Sequence, residues 1–136
     1  MNHDSSYGDL SPEQAAAYAE EVEKKYDPEL VRQSRERLAG WTKEDFRRAQ
    51  EESDQICRAL AKSMDKGAED EAVQELIARH FRHINCYYDC TLEIYNGLSD
   101  LYVQDPRFRA HFAKFHESLP EFLSAAMKAY VDRQKT

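Results

Sequence analysis

The sequence predicts an all-α fold, on three observations. Helix-start signals recur along it, each a capping residue followed by proline or acidic residues in the first turn. Apolar residues return every three or four positions, while runs of alternating β-branched residues, the mark of strands, are almost absent. Breaks are also few, with 4 glycines and 4 prolines in 136 residues. That length fits one domain, and it is large enough to bury a core without disulfides or a structural metal.

The first expected helix begins at Ser11-Pro12-Glu13-Gln14, an N-cap serine, a proline at the first helical position and a glutamine three residues after the cap, and runs to about Lys25. Asp27-Pro28-Glu29 repeats the pattern and opens a short helix to about Leu38, stopped by Gly40, which can adopt the left-handed conformation of a helix end. Thr42 caps a long helix with Glu44 and Asp45 in its first turn, where the dipole favours negative charge. Phe46, Ala49, Ile56, Leu60 and Met64 are its apolar stripe, and Lys66-Gly67 closes it.

From Asp70 a further helix carries Val73, Leu76, Ile77, His80, Ile84 and Tyr87 on one face. Thr91 caps the next, whose inner face is Ile94, Tyr95, Leu98, Leu101 and Tyr102. The intervening Cys86-Tyr87-Tyr88-Asp89-Cys90 is therefore expected at a helix-to-helix corner. Asp105-Pro106 starts a short helix with Phe108, Phe112 and Phe115, and residues 118–134 form the last, with Pro120 tolerated in its first turn.

The stripes are rich in Leu, Ile and Phe from Trp41 onward and thin before it. A segment that buries little apolar surface barely offsets its own ordering entropy. The expected organisation is a disordered terminus at 1–10 and a ligand-binding domain at 11–136, in which 11–40 is a mobile lid and 41–136 a stable helical body, with ligand-induced folding of the lid.

Lys and Arg total 19 against 26 Asp and Glu, a net charge of -7. A field of that sign repels phosphate backbones and anionic headgroups, so direct binding to nucleic acid or membrane is not expected. No apolar run is long enough to span a bilayer and the amino terminus lacks the pattern of a secretory signal, which predicts a cytoplasmic protein. Three cysteines, an odd count without the spacing of a disulfide framework, predict reduced thiols.

His80, His83, Cys86 and Cys90 have the residue types of a zinc site. Spread along one helix they would cover about 15 Å of axis, too far for one tetrahedral ion, so no metal or other cofactor is expected. The two cysteines flank three residues without a βαβ context, which argues against thioredoxin-like redox chemistry. Cys86 or Cys90 with His83 and Asp89 can be written as a catalytic triad, yet no oxyanion loop or phosphate-binding motif accompanies them, and the expectation is that the protein is not an enzyme.

The aromatics are more informative: 8 tyrosines, 6 phenylalanines and one tryptophan in a small domain. Phenylalanine fits a core without strain, whereas a tyrosine hydroxyl needs a partner and favours a partly wet setting. Tyr87, Tyr88, Tyr95 and Tyr102, with His80, Asp89 and Asn96, have the makeup either of a small-molecule pocket between helices or of an ordinary wet core.

The order EVEKKY, RQSRERLAGWTKEDF, YYDC, GLSDLYVQDPRF and PEFLSAAMKAY, from about Val22 to Tyr130, resembles the TipAS antibiotic-recognition domain. Its most specific piece is YDC followed by LYVQDPRF. Such domains form the effector half of some MerR-type transcription activators and also occur as free-standing drug-binding proteins. The resemblance implies a globin-like helical fold whose amino-terminal helices fold over a bound thiopeptide- or albicidin-like antibiotic.

In the thiopeptide-capturing member a second cysteine, seven residues after that of YDC, adds covalently to the drug. Gly97 stands there in this sequence, and Cys90 matches only the first, so reversible binding is expected. The DNA-binding half of the activators does not precede the first expected helix, which suggests a free-standing sequestering protein or an excised domain. The leading expectation is thus an antibiotic cleft between the His80 and Tyr95 helices. Tyr87, Tyr88 and Tyr95 would stack on the ligand, Asp89 and Asn96 would anchor polar atoms, Trp41 would sit at the lid hinge, and Tyr26 would reach in from the lid. The rival expectation is an interaction module docking a protein partner or a second copy as a homodimer.

Overall fold

The computed structural model describes residues 28–135. The disordered terminus expected at 1–10, the helix expected at 11–25 and Tyr26 lie outside them.

Helix α1 (Pro28–Ala39) starts on the predicted proline. Gly40 follows it, but does not supply a left-handed stop: among the described residues positive φ is confined to Gly67, at 97°. The last turn tightens instead, with the Gly40 N–H donating to the Arg37 carbonyl at 3.3 Å and the Trp41 N–H to that of Leu38 at 3.0 Å.

Helix α2 (Lys43–Lys62) opens on a reciprocal capping box. The Asp45 N–H donates to Thr42 Oγ1 at 3.1 Å and the Thr42 N–H to the Asp45 carboxylate at 2.9 Å. The α-helix ends at Lys62, earlier than expected, because a 3-10 turn over Met64–Lys66 precedes Gly67. Ile56, Cys57 and Leu60 are its buried residues, while Phe46, Ala49 and Met64 are half-buried.

Asp70 caps α3 (Glu71–Ile84) by accepting the N–H groups of Ala72 and Val73. The helix stops at Ile84, so Tyr87 is not the end of its stripe; it stands in the turn beyond. Thr91 caps α4 (Leu92–Gln104) and Asp105 caps α5 (Pro106–Ala113), with Pro106 in its first turn. The last helix, α6 (Leu119–Lys135), tolerates Pro120 where no intrahelical donor is needed. Every described helix start read from the sequence falls within two residues of its expected place.

Helix α6 is the spine of the body and packs against α2, α3, α4 and α5. Ile56, Leu60, Val73, Ile77, Leu119, Leu123, Ala126 and Met127 are all at 0% exposure. Each large side chain so enclosed contributes roughly 1.5 to 3 kcal/mol of transfer free energy. By contrast α1 has no buried residue.

Aromatic rings run through the interior beside this aliphatic core. Tyr130, Phe81 and Tyr95 meet pairwise at centroid distances of 4.9 to 6.0 Å, and Tyr102 meets Phe108 at 5.0 Å and Phe112 at 4.6 Å. His80 joins the two groups, 5.5 Å from Tyr95 and 6.0 Å from Tyr102.

Among the described residues, no helix is long and apolar enough to cross a membrane.

Candidate functional site

The corner between α3 and α4 is held by Asn85, which the sequence reading did not single out. Its Nδ2 donates to the Phe81 carbonyl at 2.9 Å and its Oδ1 accepts the Cys90 N–H at 2.9 Å. One amide thus ties the end of α3 to the start of the next helix. Asparagine often ends a helix in the left-handed conformation, but Asn85 has φ -66° and the stripe read from the sequence ran past it to Tyr87, so the residue gave no clear cue.

Trp41, Phe46 and Tyr87 gather at this corner, and neighbouring Tyr88 packs against the core. Trp41 lies 5.4 Å from Tyr87 and 5.2 Å edge-on to Phe46, and Tyr87 stands edge-on to His83 at 5.3 Å. Trp41, Tyr87 and Tyr88 are half-buried and Asp89 is exposed, so this group presents both rings and a carboxylate at the surface.

Tyr95 and His80 are placed differently, at 0% and 6% exposure. His80 Nδ1 and Tyr95 Oη are 2.7 Å apart, so the hydroxyl finds its partner inside the protein and does not need solvent. The seam between α3 and α4 is therefore filled there by His80, Tyr95 and Phe81. Asn96 is half-buried on α4, one residue beyond Tyr95. Tyr102 too belongs to the core, at 4% exposure.

Burial sets the protonation of the interior groups. It pushes His80 down to about 3, with neighbouring His83 adding to the effect, so the imidazole is neutral at pH 7. It also lowers His83, opposed by the Glu52 carboxylate, and raises Tyr95 well above the ordinary phenol value. Glu52 is itself held low by Arg79, which grips it with two hydrogen bonds of 2.9 and 2.7 Å.

The four residues from which a triad could be written are each engaged elsewhere, the Cys90 thiol with the Thr91 carbonyl at 3.5 Å. The Cys86 thiol points to the Arg82 carbonyl at 3.7 Å, His83 Nε2 lies 3.4 Å from the Tyr87 hydroxyl, and Asp89 pairs with Arg37 at 2.6 Å. Cys57 and Cys90 are buried, with their thiols pushed up to about 12 and about 11, whereas Cys86 is exposed. Of the two corner cysteines, Cys90 is thus covered by the protein and Cys86 is open to solvent. Among the described residues, no three His, Cys, Asp or Glu side chains are grouped to hold a metal ion.

Arg37 and Gln33 also reach the corner from α1. Arg37 Nη1 donates to the Asn85 carbonyl at 2.9 Å, and Gln33 Oε1 accepts the Asp89 N–H at 2.9 Å. These contacts join residues 48 to 56 positions apart, and no local pattern in the sequence announces them.

Residues 18–130 match a family model described as the TipAS antibiotic-recognition domain. The HTH-type transcriptional activator mta of Bacillus subtilis (strain 168) is 35% identical over 124 residues, covering 90% of this chain and 48% of that protein. The HTH-type transcriptional activator TipA of Streptomyces coelicolor is 33% identical over 127 residues, covering 90% and 49%. The chain thus spans about half the length of these curated relatives. Among solved structures, TipAS of Streptomyces lividans in complex with nosiheptide, a thiopeptide antibiotic, matches with a TM-score of 0.82 at 29% identity. The match covers 95% of this chain and 99% of that one.

Proposed function

Because the chain belongs to the TipAS antibiotic-recognition domain family, we propose that it binds a large, largely apolar antibiotic of the thiopeptide or albicidin kind without forming a covalent bond to it. The observation that carries this reading is the likeness over 95% of the chain to a TipAS domain with nosiheptide bound. The corner supplies suitable chemistry, with Trp41, Tyr87 and Tyr88 as a stacking face and Asp89 as a polar anchor, while His80 and Tyr95 pair with each other in the seam between α3 and α4. Asn96 on α4 and Tyr26, outside the described residues, complete the proposed contacts.

Reversibility rests on position 97, where a glycine stands exposed on α4 with open space around it and offers no nucleophile. In this reading the protein acts in the cytoplasm, by sequestering the drug or as the effector-sensing part of a transcription regulator, and no residue has a catalytic role. The relatives matched are transcriptional regulators, which agrees with the second of these settings.

Trp41 is the one tryptophan of the chain and belongs to the proposed face, so its fluorescence is the test. Titration with nosiheptide and with albicidin should give a saturable change for at least one of them. Mass spectrometry of the denatured complex should then return the unmodified protein mass. No response to any antibiotic of either class overturns the reading, and a mass adduct overturns its reversible character.

A further inference from the structure

We propose that Arg37 and Gln33 are positioning residues of this site, clasping α1 to the corner through Asn85 and Asp89 and so fixing where Trp41 lies. The inference rests on the binding role given above for the Trp41 and Tyr87 face.

The clasp is reciprocal. Arg37 donates one guanidinium nitrogen to the Asn85 carbonyl at 2.9 Å and another to the Asp89 carboxylate at 2.6 Å, while the Asp89 N–H donates to Gln33 Oε1 at 2.9 Å. Gln33 and Arg37 are one helical turn apart and share a face of α1. On the other side, the Asn85 amide that accepts the Cys90 N–H fixes the spacing of the two acceptors. A planar fork reaches both; a single ammonium would reach one. Arg32, by contrast, is engaged within α1 by Glu29 and Glu36 and cannot serve.

The clasp passes to the aromatic face through the backbone. The Arg37 carbonyl accepts the Gly40 N–H and the Leu38 carbonyl accepts that of Trp41, so the tryptophan hangs from the helix turn that Arg37 secures. Trp41 then meets Tyr87 at 5.4 Å, two residues before the aspartate that Arg37 holds. The loop closes on itself: α1 is placed by the corner, and Trp41 is placed on the corner by α1.

No residue of α1 is fully buried, and Leu30, Val31 and Leu38 are only half-covered, so polar contacts contribute an appreciable share of its docking. The pair is partly wet, with the Arg37 side chain 34% and the Asp89 side chain 78% exposed. Bonds of that kind are individually weak and screened by salt, whereas apolar docking is not. Docking of α1 is therefore salt-sensitive.

Hydrogen exchange on the full chain tests this. In 50 mM potassium chloride and without ligand, the clasp predicts protected amides over residues 28–39, unlike the lid expected to be mobile over 11–40, and Arg37→Gln should speed their exchange about threefold. Arg37→Lys and Asp89→Asn should do the same, while residues 71–84 keep their protection in every variant. Raising the salt to 500 mM should speed exchange of 28–39 in the wild type and change Arg37→Gln little. Nosiheptide should bind Arg37→Gln about threefold more weakly than the wild type at low salt, with the difference vanishing at high salt.

Protection of 28–39 that is absent in the wild type at low salt, or indifferent to both salt and Arg37→Gln, overturns the clasp. Failure of nosiheptide and albicidin to bind the wild type overturns the binding role, while the exchange measurements still decide whether the clasp exists.

Discussion

The imidazole of His80 and the hydroxyl of Tyr95 meet at 2.7 Å in the interior, linking α3 to α4 through the side chains of two core residues. Tyr95 Oη also lies 3.5 Å from the Ile77 carbonyl, one turn before His80 on α3. A phenol can be fully enclosed here because every polar atom it brings has company. The same arrangement makes the histidine a titratable group that the fold keeps neutral.

His80 therefore makes stability depend on pH. Its pKa is about 3 in the folded protein, against about 6.5 for an unfolded histidine, because burial disfavours the imidazolium. Below pH 6.5 the unfolded chain takes up a proton that the folded one excludes. The contribution is full above that value and is lost as pH falls toward 3, at up to ~1.4 kcal/mol per pH unit. His83, also lowered by burial, adds in the same direction. Urea midpoints at pH 7, 6 and 5 should fall progressively, and less steeply in His80→Gln; an equal slope in that variant would refute the assignment.

Tyr95→Phe isolates the hydroxyl from the ring. The ring contacts with Phe81 and Tyr130 survive, while His80 Nδ1 loses its partner in a dry setting. The expected loss is about 1 to 2 kcal/mol, read as a lower urea midpoint with an unchanged slope. An unaltered midpoint would mean that the 2.7 Å contact contributes nothing net.

What the sequence disclosed follows the reach of the interactions. Thr42, Asp70, Thr91 and Asp105 were legible as caps because each acts on backbone groups two or three residues away. The aliphatic spine was legible because helical spacing reports a buried face. Tyr87 and Tyr95 looked alike by spacing and composition, yet one stands in a turn and the other at 0% exposure, since the difference lies in where α3 ends and what His80 offers. Gly40 could have stopped a helix by a positive φ, and the chain used a tightened last turn instead. Arg37 and Gln33 left no trace at all, because a contact spanning about fifty residues depends on how the helices cross.

The three thiols should separate by reactivity. Cys86 is exposed at the corner, whereas Cys57 and Cys90 are buried with their thiols pushed up to about 12 and about 11 by desolvation. Thiolate is the reactive form, and both burial and a raised pKa suppress it. A disulfide reagent at pH 8 should therefore modify one thiol per folded chain quickly and all three after denaturation. Cys86→Ser should abolish the fast phase, and a fast phase that persists would place another thiol at the surface.

Tyr87→Ala and Leu123→Ala should come apart, because one removes a ring from the proposed binding face and the other opens a cavity in the spine. Tyr87 is half-buried and packs at a tilt against Trp41, so its loss should shift tryptophan emission and weaken nosiheptide binding about tenfold, the worth of one or two aromatic contacts. Stability should fall by no more than ~1 kcal/mol. Leu123 is at 0% exposure on α6, and its truncation should cost about 2 to 5 kcal/mol while the protein that remains folded keeps its affinity. Denaturation and fluorescence titration of both variants read the two quantities independently. If Leu123→Ala lost affinity as Tyr87→Ala does, binding would depend on the body as a whole and the corner would lose its claim to be the site.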